Sequence, residues 1–425
     1  MHRTRMSKLG ALLAGMVLVT AACSGGAAPA GKVEVFSWWT GGGEAAGLEA
    51  MIKVFNEKYP DVEFVNAAVA GGAGTNARAV LATRLQANQP PDSFQGHAGQ
   101  ELIGTYVAAD QLEPLNDLVE SIGLLDKLPP TLVPLIGQGG NIYSIPVNIH
   151  RANVLWYNPK VLADNGITPP ATWDEFFVAA DKLKAAGIIP LALGEQWTSM
   201  HLFETVLLGT LGVEKYNALW AAGGDWGSAD VAKAIDNYRR VLEYTNSDAT
   251  SLSWQDASKL VADGAAAMNI MGDWADGYFS GTTEGGNLGL VPGEGYGWAP
   301  VPGTDGVFQF LSDSFTLPKG APNVESAKAW LTVAGSKEGQ EAFNPVKGSI
   351  CARTDCDPNL FNAYLKTAID DWAVDTIVGS LTHGTVAADP FKNKINDAIG
   401  LFLTDKDAAA FQAALVAAFA SDGPK

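Results

Sequence analysis

Apolar residues in this chain switch repeatedly between strand-like runs and helical spacing. KVEVFSWW (32–39) carries Val33, Val35 and Phe36 as a short β-forming run. Gly41 to Gly43 break it, and Leu48, Met51, Ile52, Phe55 and Tyr59 then recur at helical spacing. That spacing predicts a helix over 44–59 with one apolar face. Pro60 and Asp61 end it, and VEFVNAAV (62–69) returns as a strand. Strand, helix, strand in this order predicts a parallel pair joined by a right-handed crossover. A helix over 76–87 and a strand entering at Asp92 repeat the theme.

A second series starts near Tyr143. IYSIPVNIH (142–150) and ANVLWYN (152–158) are extended and apolar. TWDEFFVAADKLKAAG predicts a helix, with Thr172 and Glu175 as a capping box and Gly187 as the stop. IIPLALG (188–194) is a buried strand, and helical patterns cover 200–211 and 229–246. AAAMNIMGDW (265–274) runs strand into turn into helix. FQFLSDSFTLP (308–318) is a strand, and NVESAKAWLTVAGSKEGQEAF is two helices split at Gly335. From about Phe361 the tail is Ala-rich and reads as helical. The whole is an α/β fold, with βαβ units on both sides of a break near 145–151.

Residues 1–26, MHRTRMSKLGALLAGMVLVTAACSGG, carry a different pattern. A basic start (Arg3, Arg5, Lys8) leads into an apolar stretch, Leu9 to Val19, too short to span a bilayer, then into Ala21, Ala22 and Cys23. This predicts a secretory signal over 1–22, lipidation at Cys23 and a Gly/Ala-rich tether over 23–31. The competing reading is an ordinary secreted chain with an incidental cysteine. Removing the signal takes away three positive charges, shifting the net charge from −18 to −21. An acidic body has no electrostatic attraction for nucleic acid or anionic lipid, so a neutral or cationic ligand is expected. Hydrophobic content of 47% and charged content of 17% describe a folded globular chain. Roughly 400 mature residues exceed one ordinary core, so two domains are expected.

Cys351 and Cys356 lie in SICARTDC, in a chain that leaves the cytoplasm. A disulfide or two free thiols are both compatible with that spacing. There is no G-x-S-x-G, no P-loop and no H-E-x-x-H, and no His pair has helical metal spacing. No metal and no cofactor are expected. Polar and aromatic residues stand instead at the ends of the predicted strands, where α/β sheets place their ligand crevices. Trp38 and Trp39 close the first strand on opposite faces; indole faces suit the C–H face of a sugar ring, and core packing is the alternative. Glu44 begins the first helix, as a ligand group or as an acid at the helix dipole. Gln95 and His97 share one face of an extended strand. Asp313 sits in LSDSF, as a ligand or a cap. Trp254 is compatible with core or cleft. Trp274 follows Asp273 at a strand-to-helix turn, a position that favours a cleft.

Ten blocks in order resemble one family over nearly the whole mature chain: FSWWTGGGEAAGLEAMIKVFNEKYP, GGAGTNARAVLATRL, PPDSFQGHAGQELIGTY, IYSIPVNIHRANVLWYN, LALGEQWT, MNIMGDWADGY, WAPVPGT, LSDSFTLPKGA, GSKEGQEAFNPVKGSI and IVGSLTHGTVA. The family is the extracellular solute-binding proteins that feed ABC sugar importers, and the nearer resemblance is to its glucose-binding branch. The resemblance implies a type II two-lobed periplasmic-binding-protein-like fold with three crossings between lobes. It implies a hexose held by Trp38, Trp39, Glu44, Gln95, His97, Trp254, Asp313, Lys347 and His383. One departure is the third glycine before Glu44.

The expected lobes are 32–146 with 305–347, and 147–304 with 348–425, hinged near 145–151, 300–308 and 344–352. The expected function is capture, without catalysis, of a neutral monosaccharide such as glucose by a monomer lipid-anchored on the extracytoplasmic face, for delivery to the permease of an ABC importer. A disaccharide or pentose receptor, a secreted glycoside hydrolase and a glycan adhesin are the competing readings.

Overall fold

The computed structural model describes residues 31–71 and 74–425. The expectations for the signal, Cys23 and nearly all of the tether lie outside the described residues. The first lobe is built on a five-stranded sheet in the order Val62–Asn66, Gly31–Phe36, Ser93–His97, Asp313–Thr316, Ser144–Pro146. The first three strands run parallel, as the βαβ reading requires, and Asp313–Thr316 is antiparallel to both of its neighbours. Helix Gly42–Lys58 turns Leu48, Met51 and Phe55 onto this sheet, all essentially inaccessible. Each such side chain stabilises the lobe by about 1.5–3 kcal/mol. Phe55 and Phe64 meet Trp330 of helix Val324–Ala334 edge to face.

The second lobe carries a four-stranded sheet, Gly297–Pro300, Val154–Tyr157, Ala266–Met271, Ile189–Ala192. Helix Gln196–Leu211 is buried on nearly every side between Ala229–Leu242, Asp389–Asp405 and this sheet. Thr172 caps helix Trp173–Ala185 by accepting from the Glu175 N–H. The Glu175 carboxylate reaches one residue further back than a capping box requires and accepts from the Ala171 N–H. The complete box forms at Ser253 and Asp256, ahead of helix Trp254–Ala262.

A third sheet joins the lobes: Ile350–Cys351, Asn148–Arg151, Val307–Leu311, Thr376–Gly379. The chain passes from the first sheet to the third at Val147 and back at Ser312, and enters the third again from helix Lys337–Lys347 through Gly348–Ser349. Residues 301–306 carry the chain from Gly297–Pro300 of the second sheet into Val307–Leu311 of the third, and the run read as one strand over 308–318 breaks at Ser312 into two strands of different sheets. The passages are tied together: the Val147 N–H donates to Asp313 O (2.9 Å), and Asn344 Nδ2 donates to Val147 O (3.0 Å). The tail is helical except for Thr376–Gly379, the loop over 380–388 that carries His383, and short links between helices. Thr376–Gly379 pairs in parallel with Val307–Phe310, a contact no local pattern announces. Cys351 and Cys356 are disulfide-bonded beside the third passage.

Candidate functional site

A cavity of about 220 Å³ lies between the lobes. Trp38 and Trp39 enter it from the loop just past strand Gly31–Phe36, because the strand stops at Phe36, three residues short of the end expected at Trp39. Trp38 packs on His97 with ring centroids 5.0 Å apart, while Trp39 is 1% exposed and backs onto Phe315 and Phe343. Glu44 arrives from the first turn of its helix. Lys347 is the last residue of helix Lys337–Lys347, where a cation is favoured by the helix dipole. Its Nζ lies 3.4 Å from Glu44 Oε1. Gly348 then takes φ +82°, and a Cβ there would sit 2.5 Å from the Gly277 nitrogen, so the Lys-Gly pair fixes how the helix end meets the opposite lobe.

The second lobe contributes Trp254, Trp274 and His383. Trp274 lies edge-on to His150 and 5.0 Å from His383, ring to ring. Its indole folds back over Gly272, where a Cβ would be 2.2 Å from the ring.

Asp313 stands opposite His97 in the antiparallel register of neighbouring strands. Gln95 and His97 share a strand face, as the spacing predicts, and both reach Asp313. Gln95 Nε2 donates to Asp313 Oδ1 (2.8 Å), and His97 Nε2 is 3.6 Å from the same oxygen. Asn148 Nδ2 donates to Oδ2 (2.8 Å). Gln95 does not line the cavity; its Oε1 accepts from the Trp38 N–H (3.2 Å). Its side chain ties Asp313 to the Trp38 backbone through those two bonds.

Sequence reasoning missed His150, Glu195, Trp197 and Gln255 in the cavity wall. The signal was present in the quoted IPVNIH and LALGEQWT blocks. His150 Nδ1 bonds the buried Asp273 carboxylate. Its Nε2 lies 3.4 Å from Asp313 Oδ2 without hydrogen-bond geometry, which leaves it unpartnered at the cavity. Glu195 Oε1 accepts from Trp197 Nε1 (3.0 Å) and fixes that indole at the rim.

The site separates its titratable groups. Burial alone would raise the Asp313 carboxyl, but His150, His97 and Lys347 more than offset it and hold Asp313 well below the usual carboxylate range. Burial raises Glu44, with Lys347 opposing. Burial works against the His150 imidazolium, and Asp273 reverses the sign, so His150 is shifted up. Burial and the neighbouring imidazoles push His383 well down, leaving a neutral ring able both to donate and to accept. A fixed anion, a cation, a neutral imidazole and indole faces around one small space can hold a polar, uncharged ring.

The family model for bacterial extracellular solute-binding proteins matches residues 39–341. The chain belongs to that family. Its members are extracytoplasmic receptors, not enzymes. This solute-binding protein is 35% identical over 382 residues to an uncharacterized ABC transporter extracellular-binding protein of Pyrococcus horikoshii, covering 88% of this chain and 84% of that one. It is 34% identical over 403 residues to a "probable sugar-binding periplasmic protein" of Brucella suis, covering 92% and 90%. Among solved structures it superposes on the bacterial solute receptor AcbH with a TM-score of 0.78 at 19% identity, over 92% of this chain and 98% of that one. That likeness shows the two-lobed fold. No helix among the described residues is long and apolar enough to cross a membrane.

Proposed function

We propose that this receptor captures a single neutral aldohexose, glucose or a near relative, and hands it to the permease of an ABC importer from a lipid anchor at Cys23. The cavity carries the reading. At about 220 Å³ it falls below the roughly 300–1,000 Å³ of pockets for drug-sized ligands, which suits one ring rather than a chain of them. Its walls pair indoles with charged hydrogen-bonding groups, the combination a pyranose needs on its C–H faces and hydroxyl rim. The sugar-binding name of the Brucella relative supports the ligand class.

Trp38 and Trp274 supply apolar faces, while Asp313, Lys347, His97 and His383 take hydroxyls. Each charged bond contributes about 1.5–3 kcal/mol. An epimer leaves one of these buried groups unpaired, and this sets selectivity. Ligand contacts both lobes together only when they are closed, so binding shifts the population toward the closed form that a permease reads.

The test is a melting-temperature panel of hexoses, pentoses and disaccharides, with product analysis after incubation. One aldohexose should raise the melting temperature most and be recovered intact. A response confined to oligosaccharides, or breakdown of the sugar, would overturn the reading. Mass spectrometry of the membrane-bound form, with Cys23→Ser as the released control, tests the anchor.

A further inference from the structure

Behind the cavity wall, helix Gln196–Leu211 places His201 and Glu204 three residues apart on one face, turned toward His383. One ligand atom from each of the three lies within 4.8 Å of the other two, and all three residues are buried. This His-x-x-Glu turn is completed by a residue far along the chain.

We propose that His201, Glu204 and His383 form a binding site for one divalent transition-metal ion of the zinc type.

Three observations carry it. His201 Nε2 sits 2.9 Å from Ala152 O, and donating there fixes the tautomer that leaves Nδ1 a bare lone pair. That Nδ1 is fully buried and has no hydrogen-bond partner. A backbone carbonyl on the far nitrogen is the arrangement that orients metal-bound histidines.

The Glu204 carboxylate is similarly held from behind. Oε2 accepts from the Leu381 N–H (2.5 Å) and the Thr382 N–H (3.0 Å), while Oε1 faces His201 Nδ1 at 3.5 Å. Ser380 Oγ lies 3.0 Å from Glu204 Oε1 and 3.0 Å from His383 Nδ1, next to both side chains.

The 3.5 Å between His201 Nδ1 and Glu204 Oε1 is close to one edge of a coordination tetrahedron, and a His383 nitrogen lies within 4.8 Å of both. Bonds of 2.0–2.1 Å to zinc place tetrahedral ligands roughly 3.3 Å apart. Two imidazoles and one carboxylate are a donor set that selects zinc-like ions over calcium or magnesium. His383 also lines the sugar cavity, so the ion would lie directly behind a cavity-wall residue and would enter by that route when the lobes open.

The experiment is equilibrium dialysis of the purified, metal-stripped chain against Zn²⁺, with the ligand-field spectrum of Co²⁺ as a probe of geometry. One equivalent of Zn²⁺ should be retained, and Co²⁺ should give the intense visible bands of a tetrahedral site. His201→Gln and Glu204→Gln should each lower the metal affinity at least tenfold, and either one that still folds suffices. Circular dichroism reports folding independently. The ion should remain bound when the cavity is saturated with sugar. No retained metal overturns the proposal, as does retention unchanged in both variants. So does displacement of the ion by sugar, which would put it among the cavity imidazoles of His97 and His150.

Discussion

Replacing Asp313 with asparagine swaps one carboxylate oxygen for an amide and removes the fixed anion from the cavity. Both oxygens of Asp313 already accept from buried amides, Gln95 Nε2 and Asn148 Nδ2, each at 2.8 Å. In Asp313→Asn, one of those donors faces another N–H. The folded state then loses one satisfied bond, and an unsatisfied buried donor costs about 1–3 kcal/mol. The ligand loses one charge-assisted bond, worth about 1.5–3 kcal/mol. At 1.4 kcal/mol per decade, that weakens hexose binding roughly 10- to 150-fold. Calorimetry of the variant against the best sugar from the melting panel measures it directly. A lower melting temperature of the unliganded variant, with unchanged circular dichroism, separates the stability loss from the binding loss. A dissociation constant within about threefold of the parent would refute the assignment of Asp313 as the central hydrogen-bonding group.

Gly277→Ala places a Cβ 2.5 Å from Lys347 O, against backbone that cannot swing aside. Overpacking of this kind costs about 1–3 kcal/mol, so weaker hexose binding and a larger scattering radius of the sugar-bound form are expected; normal compaction with sugar would count against it. Asp276 is buried, accepts from Tyr296 and Asn362, and has its carboxyl pushed up to about 7 by burial. A raised acid contributes stability that is complete below its unfolded value and is lost as pH rises toward 7. Asp276→Asn should therefore gain on the parent by roughly 2–4 kcal/mol between pH 4 and 8 in urea denaturation, and a pH-independent difference would refute this. Cys356→Ser opens a loop of sequence separation 5, and loop entropy assigns it about 2 kcal/mol, measurable as a lower denaturation midpoint. An unchanged midpoint in non-reducing buffer would show that the bond does not restrain the unfolded chain.

Much of the local structure was legible because its causes are local. The apolar spacing of Leu48, Met51 and Phe55 specifies a helix face whatever that face packs against, and Thr172 caps its helix within one turn. Gln95 and His97 share a face because strand side chains alternate. The limits were equally physical. The break at Ser312 is a change of partner strand, so nothing in FQFLSDSF marks it. The pairing of Thr376–Gly379 with Val307–Phe310 joins segments whose own patterns carry no memory of each other.

The sequence by itself determined the alternation of strands and helices, the acidic balance of the body, and the ten blocks that give the family. These depend on residue type and short spacing. Only the tertiary structure decided which polar residues become a site. Gln95 and Asp313 lie 218 residues apart in sequence and meet through the strand register. That meeting spends the Gln95 side chain on bonds to Asp313 and to the Trp38 N–H. It also draws His150, which sequence reading passed over, to within 3.4 Å of the same carboxylate. Register, burial and the closing of two lobes are long-range quantities, and the charge state of each group in the cavity follows from them.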